Sequence, residues 1–162
     1  MEDIRSTLKE LGAANGLEIE LDENGACTLE LSNGCVMLLQ ERADLDELDF
    51  VATLGPVPED VRAEVFTELL SANFYWRETL GATLSWNADI EEVVLIYPLP
   101  LAGATLESVE TVFTRFADLQ SAWSERLAKA IAAAQDRESD EDDDERDGAD
   151  VRAEGNLFGF RV

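Results

Sequence analysis

The chain has no histidine at all, only two cysteines and four prolines, and no more than 12 lysines and arginines among its 162 residues. Each shortage excludes something. Without histidine there is no commonest general base, no usual triad partner and no commonest metal ligand. Cys27 and Cys35 are too few for a disulfide-stapled scaffold and lack the paired spacing of a structural zinc site. No glycine-rich phosphate loop of the GxxxxGK type occurs, and no GxGxxG follows a strand. No run of about 18 apolar residues is present, so no helical membrane span is expected. The opening Met1-Glu2-Asp3-Ile4-Arg5 is acidic where a secretory signal is basic, which points to the cytoplasm. Carboxylates are abundant, so no one pair stands out as catalytic. The expectation is a binding protein with no catalytic residue, no metal site and no cofactor.

What is present in excess is negative charge. There are 36 acidic residues and the formal net charge is −24. Eleven acids and three arginines lie between Asp136 and Glu154, and the remainder stays strongly acidic without them. Such a surface repels nucleic-acid phosphates and anionic lipid heads. Neither nucleic acid nor membrane insertion is expected, and a basic or aggregation-prone protein partner is.

Apolar spacing organises the rest. Ile4, Leu8 and Leu11 form one stripe of a short helix that ends at Gly12 and Asn15-Gly16. Extended runs follow at 17–21, 26–31 and 35–40, separated by turn-forming residues at 22–25 and 32–34. A further strand is expected at 48–54. A second helix begins at Pro58 and carries Val61, Val65, Phe66, Leu69, Leu70 and Phe74. Strands at 82–87 and 93–97 come next, the latter stopped by Pro98 and Pro100. From Thr105, Leu106, Val109, Phe113, Phe116, Trp123 and Leu127 mark a helix of about 30 residues. The pattern is an α+β domain in the order α-β-β-β-α-β-β-α, an antiparallel sheet with three helices.

A two-residue Asn33-Gly34 turn pairs Leu29 with Leu38 and Leu31 with Val36. Met37 and Leu39 then fall on the outer, wet face, as an apolar patch for an incoming chain. Cys27 lies opposite Gln40, too far from Cys35 for a bridge, so both should be free thiols. Residues 17–21 alternate Leu17, Ile19 and Leu21 with Glu18 and Glu20, a half-buried strand that requires a longer loop at 22–25 to keep its face.

Three stretches carry a resemblance. Leu69-Leu70-Ser71-Ala72-Asn73-Phe74-Tyr75-Trp76, then Gly81-Ala82-Thr83-Leu84, then residues 93–101 ending Pro98-Leu99-Pro100-Leu101 resemble the middle of the CesT-like (Tir chaperone) family. The final helix, with Phe113, Phe116, Trp123 and Leu127, continues it, and the likeness covers roughly residues 2–132. It implies a dimeric class I type III secretion chaperone of the bacterial cytoplasm. Such a protein holds the N-terminal segment of an effector in extended form, and a secretion ATPase is a further candidate partner. The alternative is an acidic adaptor or regulatory domain that binds a basic protein.

On this reading Met37, Leu39, Ile4 and Leu8 are the candidate effector-binding residues. Phe74, Tyr75, Trp76 and Trp86 are the candidate homodimer contact, since tryptophan and tyrosine favour interfaces. Residues 1–135 form the chaperone domain and 136–155 a disordered acidic linker. Residues 156–162, with Leu157, Phe158 and Phe160, form an apolar end segment that is either a frayed terminus with no partner or a placeholder in the client groove that an effector displaces.

Overall fold

The computed structural model describes residues 3–32 and 34–148, with side chains as far as Arg137. Helix α1 spans Ile4–Asn15. Strands β1 (Ala26–Glu30), β2 (Val36–Arg42) and β3 (Glu47–Pro56) follow. Helix α2 covers Arg62–Ala72 and leads through a 3-10 turn, Phe74–Trp76, to strands β4 (Thr83–Asn87) and β5 (Glu92–Pro100). Helix α3 runs Leu106–Gly148. The strands form one antiparallel sheet in the order β1-β2-β3-β5-β4.

Local chemistry sets these limits. The Asp3 carboxylate accepts from the Arg5 N–H at the start of α1, and Gly16 closes its end at φ +68°. Gly12 is required by packing, since a Cβ there would lie 2.6 Å from the Leu17 carbonyl oxygen. Thr105 and Ser108 exchange side-chain bonds with each other's backbone N–H groups at the head of α3. The core lies between the inner sheet face and the helices. Leu8, Met37, Leu39, Leu48, Phe50, Leu95, Phe116 and Trp123 meet there, with the Phe50 and Phe116 rings 5.8 Å apart.

Five expectations need correction. Residues 17–21 are not a strand of the sheet. The Leu17 N–H bonds to the Gly12 carbonyl, and the Arg5 guanidinium donates to the carbonyls of Leu21 and Asp22. The segment therefore packs along α1, with Ile19 and Leu21 buried. Helix α2 starts at Arg62, after a turn over 59–61, rather than at Pro58. Strand β5 continues through both prolines. In the β4–β5 ladder the residues of β5 at even positions direct their backbone toward β4, and β4 ends opposite Ile96. Pro98 and Pro100 lie beyond it, where no neighbour needs an N–H. Helix α3 has 43 residues instead of about 30. Residues 136–148 of the expected linker are therefore helical, because extending an existing helix costs far less than nucleating one. Residues 149–162, including the apolar end segment, lie outside the described residues.

The fifth correction concerns the hairpin register. Leu29 pairs with Met37, Cys27 with Leu39 and Glu30 with Val36. The Leu31 N–H donates to the Cys35 carbonyl at 2.8 Å, so the loop has three residues, with Gly34 at φ +82°. A register one residue from the expected one reverses the faces of β2. Met37 and Leu39 are fully buried, and it is Val36 that stands 49% exposed. Neither cysteine is in a disulfide, and burial pushes the Cys35 thiol up from its ordinary pKa.

Candidate binding surfaces

Three of the four residues expected to meet a client do not line a surface, and the fourth, Ile4, only borders a hollow shared with Thr7, Glu41 and Val109. Met37, Leu39 and Leu8 are 0% exposed and Ile4 9%, so they hold the domain together from its inside. Leu8 and Leu11 press on the core from α1, and Met37 and Leu39 rise toward them from β2. The removal of Met37 and Leu39 from the outer face is the direct result of the one-residue register change.

The other expected group fares differently. Phe74, Tyr75 and Trp76 are 70%, 73% and 54% exposed. The Phe74 and Tyr75 rings meet edge to face at 4.6 Å, and the Trp76 Nε1–H donates to the Thr83 hydroxyl at 3.3 Å. Tyr75, Trp76 and Leu80 all have φ between +50° and +55°, a strained conformation for residues with side chains. Trp86 is only half-buried and sits against Phe66, ring centroids 5.1 Å apart, with the Arg62 guanidinium 4.8 Å from its ring centre. Among the described residues, no ring contact joins it to the exposed trio. A groove lined by Phe66, Leu69, Leu70, Leu84, Ser85 and Trp86 joins the two, because Leu70 also borders the hollow that contains Phe74.

Leu70 belongs to the apolar series that the spacing places on α2, yet it is 70% exposed. The helix carries two stripes. Val61, Val65, Leu69 and Ala72 are buried, whereas the series Phe66, Leu70 and Phe74, at steps of four, runs from a half-buried ring to two exposed side chains. That second series is the signal from which Leu70 was recoverable. Behind this surface Arg126 of α3 clamps the connection, pairing with Glu68 at 2.9 Å and with Glu78 while lying 4.4 Å from the centre of the Trp123 ring.

A second feature lies at the far edge of the sheet. The Leu31–Cys35 bond fixes the alternation along the hairpin, so Leu29 and Cys27 are the residues bonded to β2. Ala26, Thr28 and Glu30 turn their backbone groups outward. Those of Ala26 are taken by Asp22, through its carboxylate and its N–H. Among the described residues, nothing bonds to the backbone of Thr28 or Glu30.

A five-stranded antiparallel sheet backed by three helices, with an uncovered apolar strip at one margin and an open strand at the other, is the architecture of a module that binds other chains. The model of the Tir chaperone protein (CesT) family matches residues 6–124, and the chain belongs to that family. By family and fold it is a type III secretion chaperone, not an enzyme. A chain of the ExsC–ExsE complex is 25% identical, with a TM-score of 0.66 over 76% of this chain and 92% of that one. The Yersinia pestis type III secretion chaperone SycH, solved with a fragment of YscM2, shares the fold at 19% identity. Its TM-score is 0.59 over 74% of this chain and 98% of that one. The ExoU–SpcU complex of Pseudomonas aeruginosa also shares it, at 18% identity and a TM-score of 0.58 over 80% and 98%. No curated protein sequence matches the chain. Among the described residues no helix is long and apolar enough to cross a membrane.

Proposed function

We propose that the protein binds the N-terminal segment of a type III effector in extended form, in the bacterial cytoplasm, and keeps it soluble and competent for secretion. The observation that carries this reading is the open edge of β1. An extended chain that lies beside Thr28 and Glu30 finds two N–H donors and two carbonyl acceptors already in strand geometry. Backbone pairing of this kind asks little of the client's sequence, which suits a partner held unfolded. The apolar strip formed by Leu70, Phe74, Tyr75 and Trp76 supports a second contact, with another copy of the chain. Exposed aromatic clusters of this size belong to interfaces, and the strained backbone beneath them fits a segment whose conformation is completed by a partner.

The test is co-purification from the native bacterium, followed by amide exchange on the recovered complex. The expected result is a bound secreted protein whose N-terminal segment alone slows exchange at Thr28 and Glu30. No recoverable client, or a client that leaves both amides unchanged, rejects the reading.

A further inference from the structure

A sheet of five strands has two edges, and in this protein they are not equivalent. At the β4 edge the Asn73 carboxamide lies alongside Leu84. Its Nδ2 donates to the Leu84 carbonyl at 3.0 Å, and its Oδ1 accepts from the Leu84 N–H at 2.9 Å. One side chain thus makes the pair of bonds that a neighbouring strand would make. Asn73 is fixed for this task by its place at the end of α2. Its own N–H bonds to the Leu69 carbonyl, and its carbonyl accepts from Trp76. The next outward position along the edge, Ala82, is also engaged, its N–H bonded to the Thr79 carbonyl. Among the described residues, only Trp86 remains open on β4, against both Thr28 and Glu30 on β1.

We propose that Asn73 closes the β4 edge to strand addition, so that incoming chains pair by backbone only at β1. The physical need follows from symmetry. If both edges were open, β1 of one copy could pair with β4 of the next. That contact joins two different surfaces and leaves each new end identical to the last, so it propagates as a fibre instead of closing. A protein that must keep one edge open for clients therefore gains from blocking the other. A carboxamide suits the position because it carries a donor and an acceptor in one plane, like a peptide group. Aspartate would keep the acceptor and lose the donor, and alanine would lose both. With this edge blocked, a second copy that meets α2 and the 3-10 turn does so through side chains and not through a continuous sheet.

The assignment of β1 to clients rests on the function proposed above, whereas the closure of β4 does not. In the wild-type chain the Leu84 amide should exchange at least about 100-fold more slowly than those of Thr28, Glu30 and Trp86. Asn73→Ala should form species heavier than a dimer, growing with concentration in light scattering. Salt of about 0.5 M removes most of the charge repulsion that would otherwise mask them. Asn73→Asp should do so more weakly. Adding Thr28→Pro to Asn73→Ala should abolish the large species. Proline at 28 costs no bond to β2 but blocks the β1 edge, a rescue that general destabilisation would not show. Three results overturn the proposal: wild-type Leu84 exchanging as fast as Thr28, both Asn73 variants keeping wild-type mass at every concentration, or assemblies that survive Thr28→Pro. A client that fails to protect Thr28 and Glu30 would instead refute the client reading and leave the role of Asn73 standing.

Discussion

The two halves of the molecule treat apolar side chains in opposite ways. In α1 and β1–β3, the residues with the strongest apolar pattern are buried, and Ile4, Leu8, Leu11, Met37, Leu39, Leu48 and Phe50 all join one core. In α2, the 3-10 turn and the loop to β4, a comparable set is left outside: Leu70, Phe74, Tyr75, Trp76 and Leu80. Solubility does not explain the second half, because exposed apolar side chains of this size do not favour it. The first half buries its apolar set within one chain, whereas the second leaves exposed the strip assigned above to a second copy. The same division holds for the backbone. The first half keeps a strand edge free at Thr28 and Glu30, while the second closes its edge with Asn73.

The largest expected effect breaks the first half. Leu39→Asp places a carboxylate among fully buried side chains with no basic partner in the core cluster. An unpaired buried charge costs about 3–5 kcal/mol, a large part of what a domain of this size has to spare. The variant should lose its cooperative unfolding transition in urea, followed by circular dichroism. A transition within about 1 kcal/mol of wild type would put Leu39 at the surface, and with it the register expected from a two-residue turn.

The same substitution in the second half should leave the fold alone and change only the assembly. Trp76 is 54% exposed, so Trp76→Asp should shift urea stability by less than about 1 kcal/mol at low protein concentration. In the dimer, the new carboxylate would be desolvated without a partner. Light scattering should therefore show wild type at twice the 17.9 kDa of one chain, and the variant at that mass. Wild type that is monomeric at hundreds of micromolar would end the proposal of a homodimer through this surface.

Much of this division was legible in the sequence, and its failures have physical causes. The order of helices and strands follows from apolar spacing and turn residues, and the aromatic trio after α2 is conspicuous in its composition. The hairpin face was lost to a single residue. Asn33-Gly34 is a strong two-residue turn signal, yet Gly34 serves as the left-handed third residue of a longer loop, and every side chain of β2 changes side. The burial habit of cysteine favoured the observed register, since it places Cys35 inside and Val36 outside. Residues 17–21 have a strand's alternation and a strand's burial, but pairing depends on where Arg5 and Gly12 place that backbone, which no local pattern encodes. The Asn73 bridge is also invisible from spacing, because it joins residues 11 apart across a helix end and a strand.

The smallest predicted effect concerns the link between α1 and the sheet, inside the first half. The Asp22 carboxylate accepts from the N–H groups of Ala26 at 2.9 Å and Asn24 at 2.8 Å. These bonds, Ala26's first and Asn24's next, hold its pKa below the ordinary aspartate value, with Arg5 nearby acting in the same direction. A carboxylate whose pKa is lower in the folded state binds fewer protons there than in the unfolded chain. Its contribution to stability is therefore fully present above the unfolded value of about 3.9. The contribution fades as pH falls through the lower folded value. Asp22→Ala removes the acceptor and should be less stable than wild type at neutral pH, with the gap narrowing on acidification. Because the carboxylate is exposed to solvent, the gap should be modest and should shrink further in salt. Urea unfolding of both proteins between pH 7 and about pH 2.5 measures it, on either side of the unfolded pKa. A gap that stays constant over that range would mean that Asp22 stabilises the turn before β1 by shape alone and not through the charge on its carboxylate.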